Sequence, residues 1–460
     1  MMLRLSEAAL ATGGRIVGED AAFDAVSTDS RAIQAGDLFV ALRGERFDGH
    51  DFVDDCLQRG AAAAMVDARW QAGEAAPLLV VEDTRLALGT LASYWRGKFA
   101  LPMAAVTGSN GKTTVKEMLA SILRVNSADD AVLATQGNLN NDIGMPLTLF
   151  KLRAAHRYAV IEMGMNHPGE ISYLTRLAQP TVALINNALP AHLEGLGSVE
   201  AVAHAKGEIF EGLADDGTAI VNIDDQFAPL WKQLASPRKV LTFGLDHAAD
   251  VSADYHLNAD NCEITLKTPQ GTAAVRLPVP GVHNVRNALA AAAAATAMGV
   301  SLDAIVGGLQ QYGGVKGRLQ RKAGINGSAI IDDTYNANPA SMRAAIDVLA
   351  ACPGKRVLVL GDMGELGETA VEMHREIGAY AKSVQLDRLM VLGELSKEMA
   401  AGFGAGAQHF ESPEALGAEL NRHLTADMTV LVKGSRFMRM ERVVALLLAE
   451  TNEKESKHAA

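Results

Sequence analysis

The sequence predicts an α/β protein built in three blocks. A central, mostly parallel sheet of the P-loop type is expected between a small α/β N-terminal block and a Rossmann-like C-terminal one. Three observations carry that expectation. The length of 460 residues exceeds one ordinary domain and fits roughly three of about 150 residues each. Short apolar runs alternate with helical stretches from residue 103 onward, the rhythm of parallel strands joined by crossover helices. The run Met103-Ala-Ala-Val106 leads directly into a glycine-rich turn, Thr107 to Thr114, and then into a helix.

The first block, residues 1–84, opens with a short helix in MMLRLSEAALATGG, which lacks the sustained apolar core of a signal peptide. Short strands are expected at Asp37–Leu42 and Ala63–Val66. The second block, 85–317, is introduced by an amphipathic helix over Thr84–Phe99. After the glycine-rich turn come strands at Tyr158–Met163, Thr181–Asn186 and Gly217–Asn222, with a helix over Val199–Leu213. Residues 240–280 alternate in the manner of antiparallel strands, and the alanine-rich stretch Asn284–Met298 reads as a tightly packed helix. The third block, 318–460, has strands at Ile330-Ile331, Arg356–Leu360, Arg388–Leu392 and Thr429–Val432. It lacks GxGxxG, so a dinucleotide is not expected there. Its loop Gly361–Gly367 lies at a strand's carboxyl end, where open α/β sheets place ligands.

The turn TGSNGKTT has the chemistry of a triphosphate cradle. Gly108 and Gly111 let backbone N–H groups face phosphate oxygens, and the following helix adds its positive end. Lys112 is the cation for the terminal phosphates, and the Thr113 hydroxyl is a candidate magnesium ligand. Val106 stands where the common pattern has glycine, so the loop is a shorter variant. Glu162 closes the next strand, where a carboxylate can hold Mg²⁺; a surface or capping role is the alternative. His192 follows the strand after that. By spacing alone Lys206 reads as a solvated helix lysine. Asn284 and Asn287, three apart, share a helix face that could read a base edge, against ordinary N-capping. Arg318 sits at a block boundary, where a closing domain could bring it onto phosphate. Asp333 begins a polar turn, Asp333-Thr-Tyr-Asn336-Ala-Asn338, that either binds ribose hydroxyls or is simply a turn.

A net charge of −12 argues against nucleic acid as a partner. Cys56, Cys262 and Cys352 show neither metal spacing nor a disulfide framework, which fits a reducing cytoplasm. The longest soft stretch, Ala288–Met298, is too short to span a bilayer, so membrane insertion is not expected.

Taken in order, TGSNGKTTVKEM, ATQGNLNNDIGMPLTL, IEMGMNHPGEI, AHLEGLGS, AKGEIF, PGVHNVRNALAAAA, IDDTYNANPASM, LGDMGELG and LVKGSR resemble the Mur ligases over nearly the whole chain. The resemblance implies three domains: one for a UDP-linked substrate, a central ATPase, and a third that brings the incoming amine. It implies ATP-dependent amide ligation through an acyl phosphate, with two magnesium ions. DDTYNANP points to the branch that adds D-alanyl-D-alanine to a UDP-N-acetylmuramoyl-tripeptide in peptidoglycan synthesis.

Carried over residue by residue, the resemblance makes Thr107, Gly108, Ser109, Asn110, Gly111, Lys112, Thr113 and Thr114 the ATP loop. Thr113, Glu162, His192 and Lys206 become metal-site residues, with Lys206 carbamylated and therefore anionic. Asn284 and Asn287 would meet adenine, Asp333 ribose and Arg318 the γ-phosphate. Thr28, Ser30 and Arg31 would meet the uridine end, and Asn138, Asn141, Asn336 and Asn338 other parts of the substrates. Closure of the third domain is expected to bring in Arg318 and Asp333, which would lie far from the loop beforehand. A cytoplasmic monomer is expected. The competing readings are the tripeptide-forming Mur ligase, a folylpolyglutamate synthetase, which would lack the first block, and an ATP-switched regulator.

Overall fold

A computed structural model describes residues 1–70, 77–190 and 193–449. A two-residue strand, Leu3–Arg4, paired antiparallel with Ala22–Phe23, leads into helix α1 (Leu5–Thr12). Strands β1 (Arg15–Val17), β2 (Ala25–Ser27), β3 (Asp37–Val40), β4 (Ala63–Asp67) and β5 (Leu78–Val81) form one five-stranded sheet in the order β1-β5-β4-β3-β2. Only β1 runs antiparallel to its neighbour. Helix α2 (Thr84–Arg96) follows, capped by the Asp83 carboxylate, which accepts from the N–H groups of Arg85 and Leu86. It ends at Arg96, short of the expected Phe99, because the Arg96 guanidinium donates to the Phe99 and Ala178 carbonyls and ties the chain into a turn.

The central sheet holds β6 (Met103–Thr107), β7 (Val132–Ala134), β8 (Tyr158–Glu162), β9 (Val182–Ile185), β10 (Thr218–Asn222) and β11 (Lys239–Phe243). Their order is β11-β10-β9-β6-β8-β7, every pair parallel. All six therefore point their carboxyl ends the same way, and β6 lies in the middle. On one face pack α3 (Lys112–Asn126) and, after α4 (Val199–Gly207), the alanine-rich α5 (Val282–Ala297). Ala290 to Ala295 are fully buried, their small side chains letting α5 lie close to α3 and the sheet. Strands β12 (Ser252–Leu257), β13 (Cys262–Thr268) and β14 (Gly271–Leu277) form the expected antiparallel unit. The helix foreseen over 199–213 is broken: α4 stops at Gly207 and a 3₁₀ turn, Glu208–Gly212, continues. There the Glu208 carboxylate turns away to accept from the N–H groups of Gly169 and Ser172, at another helix start.

The third sheet comprises β15 (Gln320–Ala323), β16 (Ala329–Asp333), β17 (Lys355–Gly361), β18 (Arg388–Leu392), β19 (Ala407–Phe410) and β20 (Met428–Lys433). The order is β15-β16-β20-β17-β18-β19, with only β15 antiparallel. Helix α6 (Pro339–Ala350) starts just beyond β16, capped by Asn338. The first two sheets are not packed separately. Leu88, Leu91 and Trp95 of α2 join Leu38 and Met65 to Met103 and Ala105 in one continuous core.

Candidate active site

The carboxyl ends of the central sheet face the carboxyl end of β16 across a cavity of about 1120 Å³. The loop between β6 and α3 lies on its floor. Gly111 sits at φ +80°, and a Cβ there would come within 2.3 Å of Asn287 Oδ1 and 2.4 Å of Asn186 Nδ2, so only glycine fits. Lys112 folds back over the loop, its Nζ donating to the Gly108 carbonyl at 2.7 Å. Burial pushes the Lys112 ammonium below the usual lysine range; nearby Glu162 opposes this and Arg318 reinforces it. The loop is braced from the next strand ends. Asn187 Oδ1 accepts from the Asn110 N–H, Asn186 Nδ2 donates to the Asn110 carbonyl, and Asn222 Nδ2 holds the Asn186 carbonyl. Ser109 Oγ exchanges hydrogen bonds with Leu189, and Thr107 Oγ1 donates to the Met163 carbonyl. Those two hydroxyls are thus committed to the scaffold.

Glu162 ends β8 and is 2 % exposed, which removes the surface reading. Asn140 Nδ2 donates to its Oε1 at 2.8 Å, while Oε2 is buried without a hydrogen-bond partner. An orphaned carboxylate oxygen close to a threonine-headed phosphate loop supplies the hard oxygen donors that Mg²⁺ takes, so Glu162 and Thr113 fit that ion. Lys206, on α4, is 1 % exposed, so it is not a solvated helix lysine. Burial, with repulsion from Lys112, drives its amine well below the usual range. His192 lies outside the described residues.

The third domain already meets the loop, contrary to the expected separation. Arg318 Nη2 donates to Thr113 Oγ1 at 3.2 Å. Asn338 and Asn110 exchange amide hydrogen bonds, 2.7 Å in one direction and 3.2 Å in the other. This neutral clasp and the arginine contact hold the two sheets' ends together. Behind them lies a second cavity of about 390 Å³, lined by Thr114, Asn284, Asn287, Arg318 and Asp333 among others. Asn284 does not cap α5, whose N-cap is Gly281; it lies within the first turn, buried, with its Oδ1 3.4 Å from Asn287 Nδ2. Asp333 Oδ2 accepts from Lys433 Nζ at 2.6 Å, and Oδ1 from the Leu319 N–H.

Asn138, Asn141, Asn336 and Asn338 line the larger cavity. Thr28, Ser30 and Arg31 line neither. Ser30 and Arg31 belong to a 3₁₀ turn on the first domain, and Arg31 points to solvent, paired with Asp29 at 2.9 Å. The sequence reading passed over Asn140, Asn186, Asn187, Asn222, Tyr335 and Lys433. Four of them, Asn186, Asn187, Asn222 and Lys433, end or directly follow parallel strands, and that position is the signal that would have found them. It also missed Asp83 and Arg85, which line the larger cavity from the start of α2; Arg85 pairs with Asp142.

A phosphate loop at the middle of a parallel sheet, completed by an arginine from a second α/β sheet, defines a nucleotide-binding protein that assembles its site between domains. The sequence matches three family models: "Mur ligase family, catalytic domain" over residues 22–96, "Mur ligase middle domain" over 106–295, and "Mur ligase, glutamate ligase domain" over 317–436. It is 46 % identical over 438 residues to the UDP-N-acetylmuramoyl-tripeptide–D-alanyl-D-alanine ligase of Escherichia coli, covering 94 % of this chain and 96 % of that one. The crystal structure of MurF from Acinetobacter baumannii superposes with a TM-score of 0.90 at 41 % identity, over 96 % of this chain and 98 % of that one. MurF ligase from Thermotoga maritima, in complex with ADP, gives a TM-score of 0.81 at 31 % identity, over 92 % and 96 %. The chain belongs to the Mur ligase family.

Proposed function

We propose that the protein joins D-alanyl-D-alanine to the terminal carboxylate of a UDP-N-acetylmuramoyl-tripeptide, consuming ATP and yielding the UDP-linked pentapeptide, ADP and phosphate. One observation carries this reading: the phosphate loop, Glu162 and Arg318 meet at the floor of a 1120 Å³ cavity. Ordinary ligand pockets measure about 300–1,000 Å³, so a long nucleotide-linked peptide has room there. Relatives that cover 94 % and 96 % of the chain carry this activity in their names.

A carboxylate is a poor electrophile, and phosphorylation gives it a leaving group. In this reading Lys112 and the loop N–H groups hold the β/γ phosphates while Arg318 meets the γ-phosphoryl group as it moves. The tripeptide carboxylate oxygen attacks phosphorus and ADP departs. The dipeptide amine then attacks the acyl carbon, loses its proton, and the C–O bond to phosphate breaks. Glu162 and Thr113 would hold magnesium, which when bound withdraws charge from the phosphate oxygens. Lys206 is read as a carbamate that would add an anion to this cationic corner, and His192, by resemblance alone, as a residue that would hold a second metal. Asn284 and Asn287 would face adenine in the smaller cavity and Asp333 the ribose; Asn138, Asn141, Asn336 and Asn338 would contact the peptide substrates. Thr28, Ser30 and Arg31 would meet the uridine end on the first domain.

The domains are taken as 1–84, 85–317 and 318–460, and the protein as a cytoplasmic monomer. Among the described residues no helix is long and apolar enough to cross a membrane. Mass spectrometry of products tests the reading. Pentapeptide should form only when ATP, the UDP-tripeptide and D-alanyl-D-alanine are all present. Addition of a single amino acid to a UDP-dipeptide instead would assign the protein to the tripeptide-forming branch.

A further inference from the structure

Tyr335 is absent from the roles above, yet its ring is the face on which Arg318 lies. The guanidinium carbon is 4.3 Å from the ring centroid. The two residues are also tied through the backbone: the Tyr335 N–H donates to the Gly317 carbonyl at 3.1 Å. Gly317 sits at φ +72°, a conformation that suits glycine and sets the chain's turn into Arg318. Arg318 Nε is buried without a hydrogen-bond partner, and only Nη2 is engaged, on Thr113. Among the described residues no carboxylate is ion-paired with Arg318. Lys433, at the end of β20, is treated differently, held at 2.6 Å by Asp333.

An arginine held by a carboxylate is oriented but neutralised. An arginine stacked on a ring is oriented while its charge stays available. We propose that Tyr335 is the positioning residue that holds Arg318 flat and uncompensated for the transferring phosphoryl group. This rests on the ligase reading. Both residues belong to the third domain, so the pair reaches Thr113 already assembled. The ordering of a long side chain then precedes the reaction step.

The test uses the full-length protein, with UDP-tripeptide, D-alanyl-D-alanine, ATP and magnesium, following phosphate release. Tyr335→Leu should lower kcat about tenfold, a size between that of an exposed and of a desolvated cation–π contact, as suits this half-buried pair. KM for the dipeptide should stay within about twofold, a split that a loosened fold does not produce. Tyr335→Phe keeps the ring and should recover kcat to within about threefold of wild type. In an Arg318→Lys background, which lacks the flat guanidinium, adding Tyr335→Leu should reduce kcat by less than about twofold more. The proposal is overturned if Tyr335→Leu turns over like wild type, if Phe is as impaired as Leu, or if the loss is undiminished beside Arg318→Lys. Absence of any product from the wild-type protein would sink the ligase reading by itself. Calorimetric ATP affinity then decides the positioning claim: weaker binding in Leu but not Phe supports it, and equal affinities overturn it.

Discussion

Asn140 is the residue whose loss should separate metal binding from everything else at the site. Its amide reaches Glu162 Oε1 at 2.8 Å, and its carbonyl accepts from the Gly164 N–H at 2.8 Å. The side chain therefore aims the carboxylate, and the backbone anchors Asn140 to the segment after β8. Asn140→Ala leaves the backbone bond and deletes the amide, so a carboxylate 2 % exposed has neither oxygen held by a side chain. Hydrogen bonds to charged groups contribute about 1.5–3 kcal/mol. Deleting a partner that orients a metal ligand typically weakens metal affinity by about 10–100-fold, or roughly 1.4–2.7 kcal/mol, and the two ranges overlap. The half-saturating Mg²⁺ concentration for ligation should rise by that factor, with kcat largely recovered at high Mg²⁺. Thermal unfolding controls for misfolding. A folded variant with wild-type Mg²⁺ dependence would falsify the idea that Asn140 acts through Glu162. Gly164→Ala offers an independent approach: a Cβ there meets the Asn140 amide carbon at 3.1 Å and should shift the Mg²⁺ curve in the same direction.

Other outcomes follow from the same geometry. Lys112→Ala should abolish ligation in a protein with an unchanged circular dichroism spectrum; normal turnover would mean the loop does not hold ATP. Lys206→Ala should lose most activity and regain part of it with added acetate, whereas full activity in bicarbonate-free buffer would end the carbamate reading. Asn338→Ala removes both the clasp to Asn110 and the cap of α6, which costs about 1 kcal/mol. Amide exchange in the first turn of α6 should rise several-fold and the radius of gyration should grow; unchanged exchange and radius would discount the clasp. His283, lining the smaller cavity, is lowered to about 4 by burial, from an unfolded value near 6.5. Between those values the unfolded chain binds a proton that the folded one does not, so stability should fall as pH drops through that window. His283→Gln should flatten the fall; an identical pH profile would rule the histidine out.

Local pattern made the phosphate loop legible, because an apolar strand, a glycine turn and a helix start are contiguous in sequence. The carboxyl ends of β8 and β9 were legible for the same reason, and Glu162 with them. Lys206 was not. Spacing along α4 gives no hint that its lysine is 1 % exposed; the packing of the helix, in which the Trp231 indole N–H donates to the Ala203 carbonyl, belongs to tertiary structure. The closed arrangement was equally hidden, since Asn110 and Asn338 are 228 positions apart. Nor does composition change where α2 joins the cores of the first two sheets, so a boundary at 84 cuts across continuous packing. Thr28, Ser30 and Arg31 came from resemblance alone, and their surroundings add no second contact to the cavities.

The charge pattern explains why closure and phosphate belong together. As an unmodified amine Lys206 is repelled by Lys112, and Arg318 adds repulsion at Lys112, while Glu162 and Glu365 oppose it there. Bringing the third domain onto the loop sets the Arg318 cation beside Lys112, with Glu365 of the same domain opposing it. One of the contacts that hold the domains there is the uncharged Asn110–Asn338 exchange, which ties the cleft without neutralising the cations. In the proposed reading a triphosphate meets Lys112 and Arg318 together only in the closed arrangement, so its binding must favour closure by its difference in affinity for the two arrangements. Linkage is reciprocal: ATP favours closure by the factor by which closure favours ATP, so a loosened clasp weakens apparent ATP affinity in proportion to the closed fraction lost. On that argument Asn338→Ala is expected to weaken ATP affinity by lowering the closed fraction.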